Sequence, residues 1–221
     1  MEQLKISELY TLEETIAKEV FMGLTYPWEV LPKIGDFIMK LGAMLPAKEY
    51  DQIAADVWIA KSADVMPSAH IGGPTIIGKN AEVRHCAFIR QNAIVGEGAV
   101  VGNSTELKNV ILFNQVQVPH YNYVGDSILG YKAHMGAGSI TSNVKSDKAL
   151  VIVKGKTVRI ETGLKKFGAM LGDGVEVGCG AILNPGSVVG KNTSIYPVIN
   201  VRGVIPADSI VKGTKKIVQK R

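Results

Sequence analysis

ADVMPSAHIGGPTIIGKNAEVRHCAFIRQNAIVGEGAVVGNSTEL, residues 63–107, repeats itself every six residues. Aliphatic residues recur at Ile53, Ile59, Val65, Ile71, Ile77, Val83, Ile89, Val95, Val101 and Leu107. A small residue stands two positions before most of them, at Ala63, Ala69, Thr75, Ala81, Ala87, Ala93, Ala99 and Thr105. In an extended chain, positions i and i−2 share a face, so each unit turns one aliphatic and one small side chain inward. Gly72, Gly78, Gly96 and Gly102 follow their aliphatics directly, where the chain bends between short strands. A fixed short period of this kind is the signature of a solenoid.

The period continues downstream through Leu112, Val118, Val124, Leu129, Met135 and Thr141, with five-residue steps at Leu112 and Leu129, and resumes from Leu171 to Val201. Between these runs the alternating stretch LVIVKGKTVRI breaks phase, and Lys154-Gly155-Lys156 reads as its hairpin turn. Residues 146–168 are therefore expected to form a hairpin arm projecting from the solenoid. The first 50 residues differ in kind. Thr11 with Glu14 has the spacing of a capping box, and Pro27 opens an apolar-periodic stretch through Val30, Leu31, Ile34, Phe37, Ile38 and Leu41. A helical cap over 1–50, a solenoid over 51–205 and a basic tail over 206–221 are expected. Trp28 and Tyr26 are placed in the core of the cap. Covering the unpaired strand edges of the first coil is the structural role such a cap would serve.

Composition excludes several classes. With 46% apolar residues and 24 glycines in 221, the chain carries enough aliphatic surface to fold. No leader pattern or membrane-length apolar run is present, which places the expectation in the cytoplasm. Cys86 and Cys179 are too few for a disulfide framework and read as small packed residues. A net charge of +5 suits an anionic partner, but no aromatic residues interleave the basic ones as nucleic-acid binding would require. At eighteen residues per coil, Arg90 and Lys108 stack on one outer edge, where an anion such as a phosphate would relieve their repulsion. Two independently solvated charges are the competing reading.

Residues 102–143, GNSTELKNVILFNQVQVPHYNYVGDSILGYKAHMGAGSITSN, closely resemble the acetyltransferase domain of the bifunctional N-acetylglucosamine-1-phosphate uridyltransferase and glucosamine-1-phosphate acetyltransferase. Past Lys148, KGKTVRIETGLKKFGAMLGDGVEVGCGAILNPG resembles the archaeal-type sugar-1-phosphate nucleotidylyltransferases that end in an amino-sugar acetyltransferase domain. The resemblance implies an all-β, left-handed parallel β-helix of hexapeptide repeats. It also implies acetyl-CoA as co-substrate, an amino sugar 1-phosphate as acceptor, a homotrimer and no catalytic metal. Carried over by position, His120 becomes the general base and Glu106 its supporting carboxylate. Arg90, Lys108, Tyr123, His134, Asn143 and Lys148 fall on the acceptor pocket. Ala137, Gly138, Cys179 and Tyr196 fall along the cofactor, and the N–H groups around Ala137 could meet an oxyanion.

His134, Val144 and Cys179 depart from the bacterial pattern, which leaves the acceptor's identity open. The nucleotidyl-transfer half of the bifunctional relatives has no counterpart in the 50 helical residues, so only acetyl transfer is expected. Asn122 occupies an inward slot that alanine or threonine fills elsewhere, and a buried amide needs partners. His70 and His85 read as surface or packing residues. An imidazole, with an unperturbed pKa near 6.5, suits proton removal from an amine at neutral pH. Two other readings compete. One is a non-catalytic solenoid subunit or regulator of a separate nucleotidylyltransferase, which acetyl-CoA binding would discriminate. The other is a zinc carbonic-anhydrase-like protein, which needs three histidines to converge where the sequence offers His85 and His120.

Overall fold

In a computed structural model, which describes residues 1–157, 159–213 and 216–220, the chain is a β-solenoid of about nine turns preceded by short helices. Each coil has three short strands, and each strand pairs in parallel with its counterpart on the next coil. The inward positions are those the six-residue period names. Ile77, Val83, Ile89, Val95, Val101 and Leu107 are fully buried, as are Thr75, Ala81, Ala93, Ala99 and Thr105. Ile53 is the exception. It lies 60% exposed in the strand Tyr50–Ala54, which runs antiparallel to Val57–Ala60 and covers the first edge.

The three faces of the prism differ in what they turn outward. One carries Asp64, Glu82, Val100, Gln117, His134, Glu176 and Ser194 in register. A second carries His70, Phe88, Glu106, Tyr123, Ile140, Ile182 and Asn200. The third carries Trp58, Ile76, Ile94, Ile111, Ile128, Met170 and Val188 in register, and every one of these is buried.

That third column points away from the solenoid interior, because its neighbours on each strand are the inward residues. It is buried by the N-terminal segment. Leu4, Leu9, Tyr10, Phe21, Trp28, Leu31, Ile34 and Ile38 join it in one core. The helical segment therefore lies along a flank rather than over the first edge. The helix Ile34–Gly42 turns Ile34 and Ile38, four residues apart, toward the solenoid. Gly42 rests on the Trp58 indole so closely that a Cβ would collide with the ring. Tyr10 and Phe21 pack on Phe113 at ring-centroid distances of 5.1 and 5.7 Å. Trp28 is buried with Tyr26 stacked on it at 4.6 Å.

Several local expectations are corrected. The Thr11 hydroxyl does not cap a helix. It donates to Asp173 Oδ2 at 2.8 Å, and the following Leu12–Glu14 is a single 3₁₀ turn. A buried carboxylate that also accepts the Thr11 and Tyr131 N–H groups outcompetes the local cap. The carboxylate half of a capping box forms instead at Glu29, whose Oε2 accepts the Tyr26 N–H at 2.7 Å. Cys86 and Cys179 are exposed, because both sit at outer corners. In the arm, Ile152–Lys154 pairs with Arg159–Glu161, so Lys154 is a strand residue and the turn begins at Gly155; Val158 lies outside the described residues. The tail strand Ser209–Gly213 pairs antiparallel with Lys216–Gln219. The remaining tail positions Thr214, Lys215 and Arg221 lie outside the described residues. Among the described residues no helix is long and apolar enough to cross a membrane.

Phe113→Ala should reveal how far the flank segment depends on this packing. The side chain is fully buried between segment and solenoid, so its loss should cost about 3–5 kcal/mol. Thermal unfolding should show a clearly lowered Tm, and an unchanged Tm would mean the segment is not docked there.

Candidate active site

Two edges flank the second face, and the histidine and the cations named from sequence stand on different ones. Along one edge, backbone hydrogen bonds link successive coils. Tyr121 N–H donates to Asn103 O at 2.9 Å, Gly138 N–H to His120 O at 3.0 Å, Gly180 N–H to Ala137 O at 2.9 Å and Val198 N–H to Cys179 O at 2.9 Å. Asn103, His120, Ala137 and Cys179 thus form one column, with Tyr196 half-exposed beside its lower end. His120 ends the strand Gln117–His120 and is exposed at this corner. Its main chain is fixed from inside, because Asn122 Oδ1 accepts the His120 N–H at 3.1 Å while Asn122 Nδ2 donates to Gly136 O at 2.8 Å and Ser139 Oγ at 3.1 Å. The buried amide flagged by the sequence is therefore fully partnered and ties the histidine to the coil below. Of the glycine-rich stretch below, Gly136 and Gly138 spend their N–H groups on Val177 and His120. Ala137 is exposed, and its N–H makes no bond to another described residue. That leaves one free donor where the sequence suggested several.

The other edge holds the cations. The expected stacking of Arg90 on Lys108 does not occur. The pairing of the two strands shifts between Ile89 and Gln91, so Lys108 lies beside Gln91 and Arg90 is the extra, bulged residue. Each cation has its own carboxylate. Arg90 Nη1 donates to Glu106 Oε1 at 3.0 Å, which engages Glu106 with the arginine rather than with His120. Lys108 Nζ donates to Asp126 Oδ1 and Oδ2 at 2.9 and 3.0 Å, and both side chains are nearly buried.

Asp126 is the residue the sequence reading missed. It also accepts from Asn109 Nδ2 at 3.0 Å and Asn143 Nδ2 at 2.5 Å, and Asn143 in turn reaches Tyr123 Oη at 3.2 Å. Asn109 Nδ2 also lies 3.2 Å from Leu31 O, which joins the network to the flank segment. Asn92, Asn109 and Asp126 all have φ near +50°, a region that asparagine and aspartate tolerate. Their seventeen-residue spacing is a readable signal of a corner column in which the third coil replaces amide by carboxylate. The Tyr123 hydroxyl is pushed above the ordinary phenol range, first by burial and then by the charges of Asp126 and Glu106.

His134 lies on the first face, where its Nδ1 is 2.8 Å from Glu176 Oε2 on the next coil; Glu176 was not singled out from sequence. Lys148 is exposed at the start of the arm. His85 O accepts from Asn103 Nδ2 at 3.0 Å, so His85 lies two coils above His120 on the same edge. No third metal-ligating side chain joins them among the described residues.

A prism of stacked hexapeptide coils is the architecture of hexapeptide-repeat left-handed β-helix transferases. The model of the GMPPB C-terminal domain matches residues 71–165. The chain is 34% identical over 195 residues to the bifunctional protein GlmU of Methanococcus maripaludis C5, covering 86% of this chain and 47% of that one. It is 31% identical over 156 residues to the uncharacterized acetyltransferase YaiX of Escherichia coli K12, covering 71% and 68%. A hexapeptide transferase family protein from Anaplasma phagocytophilum superposes with a TM-score of 0.42 at 18% identity, over 76% of this chain and 81% of that one. The chain belongs to the hexapeptide-repeat, left-handed β-helix acetyltransferases related to GlmU. It spans about half the length of the Methanococcus relatives it matches.

The Asp126 network predicts a non-additive double-mutant cycle. Asp126→Leu strands a nearly buried ammonium and should cost about 3–5 kcal/mol, whereas Asp126→Leu with Lys108→Met should cost much less than the two single changes together. Urea unfolding of the four proteins gives the cycle, and strict additivity would mean the pair is not coupled.

Proposed function

We propose that the protein is an acetyl-CoA-dependent N-acetyltransferase whose acceptor is an amino sugar 1-phosphate. The observation that carries this reading is the column of His120 over Ala137. It sets an exposed imidazole, its main chain fixed from inside, one coil above an exposed and unpaired N–H group. In this reading His120 takes the proton of the sugar amine as it attacks the thioester carbonyl. The oxygen of the tetrahedral intermediate then lies against the Ala137 N–H. The sulfur leaves as the amide forms. Cys179 and Tyr196 continue the column and would lie along the cofactor.

Arg90, Lys108, Tyr123 and Asn143 would hold the sugar phosphate, with Glu106 and Asp126 setting the two cations rather than Glu106 serving His120. Tyr123 lies on the face between, but the cations stand on the opposite edge from His120, one triangular side away, about five residues or ~15 Å at ~3.3 Å per residue. One copy therefore does not bring base and cations together. A homotrimer in which the cation edge of one copy meets the histidine edge of the next would complete the pocket. The second face supports this, because it turns Phe88 and Ile182 outward at 41% and 38% exposure. His134, its Nδ1 held by Glu176, would meet the acceptor from the first face, and Lys148 from the start of the arm.

The test is turnover with acetyl-CoA across a set of amino sugar phosphates, for wild type and three variants. His120→Ala should lower kcat by about 10²–10⁴-fold and flatten the acidic limb of the pH profile. Arg90→Ala and Lys108→Met should raise KM for the acceptor by about tenfold or more, leaving KM for acetyl-CoA unchanged. Full turnover by His120→Ala would remove the base, and an unchanged acceptor KM in both cation variants would place the phosphate elsewhere.

A further inference from the structure

The arm leaves the solenoid at the same edge as Lys108, two coils below it, and bends down along the edge instead of standing clear of it. Val151 and Val153 are fully buried against the coils beneath. Gly203 lies so close to the Lys154 carbonyl that any side chain there would collide with it, so the approach of arm to edge depends on that glycine. Between arm and edge lies a cleft of about 510 Å³. Its wall on the solenoid side is the stacked column Ser142, Asn184 and Arg202, which follows the paired strands Ile140–Thr141, Ile182–Leu183 and Asn200–Val201. Its wall on the arm side includes Lys145, Ser146, Asp147 and Lys154.

The charges do not cancel. Lys145 is paired with Asp147 at 3.0 Å, and Asp147 is further occupied by the Ala149 N–H at 3.0 Å, which together with the lysine holds its carboxyl below the usual range. Lys154 and Arg202 face the cleft from opposite walls, and neither makes an ion pair with a described residue. Two uncompensated cations flanked by the Ser142 and Ser146 hydroxyls form a site for an oxyanion with several acceptor oxygens. An uncharged or cationic ligand would leave the two cations facing each other without relief.

We propose that the cleft between the arm and the Ser142–Asn184–Arg202 edge is a phosphate-binding site, with Lys154 and Arg202 as its two ligating cations. It is separate from Lys108 and Arg90, which stand two or more coils higher on the same edge. On the acyl-transfer reading, such a phosphate has two sources. One is the adenosine 3′,5′-bisphosphate end of coenzyme A; the other is the diphosphate of a nucleotide-linked acceptor. The site itself does not require that reading, and its test needs no turnover.

Calorimetric titration of the full chain at low salt with adenosine 3′,5′-bisphosphate, with UDP and with adenosine separates the possibilities. At least one phosphate-bearing probe should bind, adenosine should not, and affinity should fall as salt rises. Lys154→Gln and Arg202→Gln should each weaken binding roughly fivefold to tenfold, a charge-assisted contact discounted for exposure, while Arg202→Lys retains most of it. Bisphosphate binding that coenzyme A displaces assigns the cleft to the cofactor. Binding of UDP alone assigns it to the acceptor's nucleotide. Binding of both supports a site that reads phosphate only. If neither probe binds, or if affinities are the same in wild type and both single variants, the site does not exist. An equal loss in Lys40→Gln, an exposed lysine of the flank helix, would show bulk charge attraction and also overturn the proposal. Circular dichroism on each variant guards against reading misfolding as lost affinity.

Discussion

The burial of one outward column of large apolar side chains by the chain's own N-terminal segment is the constraint from which the rest of the molecule follows. A hexapeptide prism needs only its inward residues to hold its coils together, yet this one turns Ile76, Ile94, Ile111, Ile128 and Met170 outward on a single face. Each would forfeit about 1.5–3 kcal/mol if left in water. The first 42 residues cover them, and so remove one face of three from any contact with another molecule. What remains is one polar face, one mixed face and the two edges beside the mixed one. Every residue proposed for catalysis or acceptor binding lies on those faces, those edges or the arm that leaves one of them.

The electrostatics of the cation edge are organised by burial. Lys108 and Asp126 are both nearly out of water, and such a pair is kept only when the remaining polar atoms are bonded. Asn109 and Asn143 meet that requirement, and through Asn109 the backbone of the flank segment at Leu31 shares the same network. The position of Lys108 is therefore coupled to the docking of the N-terminal segment. Arg90 is held more loosely, by an exposed pair with Glu106, and is freer to exchange its carboxylate for a substrate phosphate.

The inward lining of the solenoid could be read from sequence because it depends on a single period that every coil obeys. The flank covering could also have been read. Thr75-Ile76-Ile77, Ala93-Ile94-Val95, Val110-Ile111-Leu112 and Ser127-Ile128-Leu129 place an apolar residue between the small and aliphatic positions, whereas Ala81-Glu82-Val83 and Thr105-Glu106-Leu107 place a charged one. What sequence spacing could not supply was the register at Arg90. A bulge moves every later residue by one, so an eighteen-residue rule that holds for Phe88 and Glu106 fails two residues later. The role of Asp126 was hidden for a related reason. Its partners Lys108, Asn109 and Asn143 are 18, 17 and 17 residues away and converge only after the five-residue steps have reset the stack. The proposed base and backbone donor came from resemblance alone; the hydrogen-bond ladder shows that His120 and Ala137 stand in one column.

On the proposed function, an active centre forms from the histidine edge of one copy and the cation edge of another. Mixing two inactive proteins tests it most directly: His120→Ala and Lys108→Met, dissociated together in mild denaturant, reassembled at equal amounts and assayed for acetyl transfer. In a cyclic assembly with heterologous contacts, random reassembly leaves about one junction in four with both edges intact, so about a quarter of wild-type turnover should return. Co-assembly proven by differential tagging, with no recovery of turnover, would contradict the account, because it would place base and cations of each centre on the same chain.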